Sequence, residues 1–62
     1  MNAQNSNHQI AMDLISQYGD DAESIAMLRA AEYAANLNTE EWLIWEEVIK
    51  QIQNINVSPN LQ

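Results

Sequence analysis

Tyr18-Gly19-Asp20-Asp21-Ala22-Glu23, written YGDDAE, sets three carboxylates in four positions beside the only glycine of a 62-residue chain. It is either an acidic ligand cluster or the junction between two helices. A hard cation such as Mg²⁺ or Ca²⁺ needs oxygen ligands converging from about six directions, whereas these acids diverge around a helix start and no EF-hand spacing follows. The junction reading uses every residue. Gly19 fits the position just past a helix, where the left-handed backbone conformation carries no steric penalty for glycine alone. Asp20 is placed to cap the next helix by accepting the Glu23 amide, and Glu23 to reach back to the cap amide. Asp21 and Glu23 also fall in a first turn, where the helix dipole favours anions by about 0.3–1 kcal/mol each.

On the N-terminal side, the segment from His8 to Tyr18 repeats Ile10, Ala11, Leu14, Ile15 and Tyr18 at steps of three and four, the spacing of one helix face. A second helix is predicted from Asp21 to Leu37, with a belt of small residues at Ala22, Ala26, Ala30, Ala31, Ala34 and Ala35. Its polar stripe, Arg29, Glu32 and Asn36, is narrow, and so wide an apolar arc suits a helix touched on two sides. Asn38 or Thr39 can cap a third helix reaching Ile55. Trp42, Ile44, Trp45, Val48, Ile49, Ile52 and Ile55 share one broad face of it, Glu46 and Lys50 form a favourable i,i+4 pair, and Leu43 is apolar on the polar side. The pattern predicts an all-α single domain over residues 8–55, with helices at about 8–18, 21–37 and 39–55, built as a small three-helix bundle or as a helical hairpin with a short N-terminal helix. Residues 1–7 and 56–62 are expected to be disordered tails.

A chain this short buries only about 60% of the surface its unfolded form exposes. With no cysteine to supply disulfides or thiolate metal sites, its remaining supports are helix packing and self-association, so a homodimer is expected. Nine acids against Arg29 and Lys50 give a net charge of −7, which repels nucleic-acid phosphates and anionic membranes. Neither signal-peptide features nor an apolar run of about 20 residues is present in the sequence, and a cytoplasmic protein is expected.

The residues Ala11, Leu14, Ile15, Tyr18 to Glu23, Ala26, Arg29 and Ala30, followed by Trp45, Val48 and Ile52, make the pattern AxxLIxxYGDDAExxAxxRA…WxxVxxxI. Over about residues 11–55 this resembles a family of short bacterial proteins, common in alphaproteobacteria and classed as a domain of unknown function. The resemblance implies a helical fold and no activity. Members often read Gly-Asp where this chain has Leu37-Asn38, which leaves the end of the second helix less sharply defined.

Catalytic chemistry is not indicated. Ser6, Ser16, Ser24, Ser58 and Thr39 lack a sequence-level base or a strained nucleophile turn, and a single glycine cannot build a phosphate cradle. His8 is the only histidine and has no Glu-x-x-His partner for a di-iron site. No catalytic, cofactor or metal residue is therefore expected. Trp42 and Trp45 read either as core or as a partner-binding patch. Glu40-Glu41 and Glu46-Glu47 read as a solvated face or as a contact for a basic partner. The expected function is that of an acidic, non-enzymatic protein-interaction module that self-associates and docks through Trp42, Leu43, Trp45 and Glu46. The alternative is an inhibitor or nucleic-acid mimic that binds a basic protein groove.

Overall fold

The computed structural model describes the backbone of residues 3–57 and the side chains of residues 6–55. Three helices follow one another: α1 (Ala3–Tyr18), α2 (Ala22–Ala35) and α3 (Thr39–Val57), with a short 3₁₀ turn, Gly19–Asp21, between the first two. There is no strand among the described residues, and the fold is all-α. The connection between α2 and α3 is three residues long, so the two form an antiparallel hairpin. They share the largest interface, and α1 packs across both, mainly on α3.

The core consists of Ala11, Leu14, Ala22, Ala26, Ala30, Trp45, Val48, Ile49 and Ile52, edged by Ile10, Ile15, Ile25, Tyr33, Trp42, Ile44 and Ile55. The alanines of α2 let the helix axes approach closely, and they leave most of the large apolar groups to α3. Val48 and Ile52, both fully buried, lie four apart on the α3 stripe that the sequence periodicity marks out.

The YGDDAE junction is half as expected. Gly19 has φ +59, and a Cβ built there would meet nothing within 4 Å, so the backbone conformation alone calls for glycine. The Asp20–Glu23 capping box does not form. The chain passes from Gly19 straight into the 3₁₀ turn, where the Ala22 N–H donates to the Gly19 carbonyl. The residue before α2 is Asp21, at φ −88 and ψ −2 with no side-chain cap. A capping side chain needs an extended backbone at that position, and the 3₁₀ turn denies it. Glu23 instead accepts a hydrogen bond from Gln53 Nε2 of α3 at 2.8 Å.

Helix limits also move. α1 begins at Ala3, so residues 3–7 are helical where a tail is expected, and α3 continues to Val57. Residues 1–2 and 58–62 of the expected tails lie outside the described residues. Asn7 explains part of the extension: it is buried, and it sits four residues before Ala11 and seven before Leu14, in line with the core stripe. His8 Nδ1 donates to Gln51 Oε1 at 3.1 Å, and Gln51 Nε2 donates to Glu47 Oε2 at 3.2 Å, so a polar chain ties the start of α1 to the outer side of α3.

The second helix stops at Ala35 rather than Leu37. Leu37 N–H donates to the Ala34 carbonyl at 3.0 Å and Asn38 N–H to the Tyr33 carbonyl at 2.9 Å, the paired bonds of a Schellman motif. Leu37 occupies its left-handed position at φ 60, where glycine is the usual residue, and its side chain is 87% exposed. The next helix starts at once, the Trp42 N–H reaching the Asn38 carbonyl at 3.0 Å.

Candidate functional site

Successive residues on a helix turn by about 100°, so the three-residue step between Trp42 and Trp45 separates them by about 60°. That angle is enough to split their fates. Trp45 faces inward, 9% exposed, within the core, and Trp42 is half-buried at its edge. The Arg29 guanidinium from α2 lies over the Trp45 ring, 5.5 Å from its centroid. This cation–π contact closes the core at that level. Trp45 is thus a core residue, the first of the two readings its sequence position offers, whereas Trp42 lies at the core edge.

Trp42 borders two shallow hollows on the α2–α3 seam. One, of ≈ 460 Å³, is lined by Met27, Ala30 and Ala31 from α2 and by Trp42, Glu46, Ile49, Lys50 and Gln53 from α3. The other, of ≈ 250 Å³, lies between Ala34, Leu37, Asn38, Thr39 and Trp42. The two hollows adjoin at Trp42, which borders both, and form the two halves of a groove along the hairpin. Its α2 wall follows from the alanine spacing: Ala30 reaches into the core, whereas Ala31 and Ala34, rotated away from it, are exposed. Met27 projects beside them, about half exposed.

Of the four residues singled out from sequence, the structure brings Trp42 and Glu46 together in this groove. Leu43 is 56% exposed but lies about 100° around the helix from Trp42, outside both hollows. The residues that sequence reasoning missed are Met27, Ala31, Ala34, Leu37 and Lys50. Their signal was the wide apolar arc of α2: a helix apolar on two sides has one side left over once the core is made.

Chemically the groove offers apolar contact, one carboxylate and one ammonium. Among the described residues no group of three His, Cys, Asp or Glu side chains could hold a metal ion. No helix among them is long and apolar enough to cross a membrane. Compared with protein-family models, with curated proteins and with solved structures, the chain finds a match in none of the three.

Proposed function

We propose that this protein is a small acidic binding module, without enzymatic activity, that docks onto a protein surface through the α2–α3 groove centred on Trp42. The observation that carries the reading is the uncovered seam: Trp42, Met27, Ala31, Ala34 and Leu37 give apolar contact along two adjoining hollows on the outside of a three-helix fold. Half-buried tryptophan in a shallow groove is the kind of anchor that dominates protein interfaces, because it buries a large area at small conformational cost. The acids supply solubility.

The test is to place a charge in the channel where the fold does not need the side chain. Ala31 is exposed and helical, so Ala31→Glu should leave the far-ultraviolet spectrum unchanged, and the unfolding midpoint too at low micromolar concentration, where association contributes least. Tagged wild-type and Ala31→Glu proteins are then used to recover bound proteins from the native cells, with Glu47→Gln, on the outer side of α3, as control. Loss of the bound protein with Ala31→Glu alone supports the groove. Equal recovery by all three proteins rejects it.

A further inference from the structure

We infer that the partner of this groove is a second copy of the same chain, paired face to face about a two-fold axis, with Glu46 of each copy set against Lys50 of the other. The inference rests on the groove being a docking surface and names what docks there.

The charge distribution is the first support. The chain carries −7 overall, yet the two halves of the groove contain one acid, Glu46, and one base, Lys50, among otherwise uncharged residues. The chain's other eight carboxylates and its arginine lie elsewhere. A partner chosen by the bulk charge of this protein would be strongly basic, and an acid-lined groove would suit it. The groove is instead electrically balanced, the arrangement that lets an acidic chain meet its own copy. Charges off the face are damped by salt, over a screening length of about 8 Å at physiological ionic strength.

Geometry is the second. In a two-fold contact, if residue i meets residue j then j meets i. Glu46 and Lys50 are four residues apart on α3, about 6 Å along its axis. A two-fold passing between them, with the two α3 helices antiparallel, sets each on the opposite charge of the other copy. Two cross-helix contacts, Glu23 with Gln53 and Arg29 with Trp45, fix the register of α2 against α3 and put Met27 level with that axis. Methionine is suited to such a place, since its flexible thioether packs against its own image without a preset shape.

The third support is the thin core. Among the described residues four of the nine core positions are alanine, and a domain of this size gains most from association when its own core is small.

Sedimentation equilibrium of the full chain from about 1 to 200 µM covers the range of a modest self-association. It is run on wild type, Glu46→Lys, Lys50→Glu and an equimolar mixture of the two variants. A wild-type dimer is expected. Each single reversal puts like charges together twice and should weaken it by about tenfold or more. Glu46→Lys does so while bringing the net charge nearer to zero, which separates a local contact from bulk repulsion. In the mixture, one variant brings a base at both positions and the other an acid at both, so every cross-copy contact again pairs opposite charges. A heterodimer of near wild-type affinity should therefore return. A variant that merely misfolds could not be rescued in this way. A monomer at every concentration overturns the second copy and leaves the groove to be judged by the Ala31→Glu recovery experiment. A dimer indifferent to both reversals is held by another face; it overturns the second copy as the occupant of this groove, and the groove is again judged by the Ala31→Glu recovery experiment.

Discussion

Replacing Leu37 by glycine should stabilise this protein, although it deletes a large apolar side chain. Leu37 holds φ 60, a left-handed conformation that costs an L-residue about 1–2 kcal/mol through the approach of its Cβ to backbone. Glycine is free of that term. Against this gain, glycine enlarges the unfolded ensemble by about 0.4–1 kcal/mol. The leucine side chain itself contributes little, because it is 87% exposed. The net expectation for Leu37→Gly is a gain of about 0.5 kcal/mol, or about 2–4 °C in Tm for a domain of this size. Leu37→Ala keeps the Cβ and so keeps the strain; it should be no more stable than wild type. The assay is urea unfolding of the three proteins by tryptophan fluorescence and far-ultraviolet circular dichroism, at low micromolar concentration where association contributes least. A glycine variant less stable than the alanine variant, with an unchanged denaturant slope, would refute the assignment of strain to the Schellman position.

The remaining expectations concern the core and the junction. Ile52 is fully buried, and Ile52→Ala should cost about 2–5 kcal/mol; a variant with an unfolding midpoint near wild type would count against the packing described. Gly19→Ala should cost about 1–2 kcal/mol from backbone strain alone, since nothing stands within 4 Å of the added Cβ. Asp20→Ala, by contrast, removes no cap and should change stability by no more than about 0.5 kcal/mol. A loss of about 1 kcal/mol in the Asp20 variant would restore the capping box. Arg29→Gln removes the cation over Trp45, and a loss of about 0.5–1 kcal/mol, with a changed tryptophan emission, is the expected readout.

The third helix was the most legible element because Trp45, Val48, Ile49 and Ile52 obey helical spacing and the burial of each follows from it. Gly19 was legible for a different reason: one glycine after a periodic run has few other uses. Asp20 misled because a capping-box spacing states which residues could bond, whereas the 3₁₀ turn that follows Gly19 decides the backbone angles. Leu37 gave no signal, since a leucine in a glycine position looks in sequence like the last apolar residue of the helix. The start of α1 was hidden in polar residues, where the burial of Asn7 reflects tertiary packing rather than hydrophobic periodicity. For the groove, Trp42 and Glu46 were visible from α3 alone. The α2 wall was not, because alanine serves equally for close packing and for an exposed floor, and only the tertiary packing separates buried Ala30 from exposed Ala31.

The three-residue link between α2 and α3 also has a bearing on the order of events when the chain folds. Closing so short a loop is fast, and the hairpin it joins holds the largest set of helix contacts, so the turn is expected in the earliest structure formed. Leu37 sits in that turn, and its awkward backbone must be adopted before the core can reward it. Its penalty therefore falls on the forward barrier. In a temperature-jump experiment Leu37→Gly should fold faster while unfolding at the wild-type rate, which would make one exposed leucine the brake on an otherwise rapid helical fold.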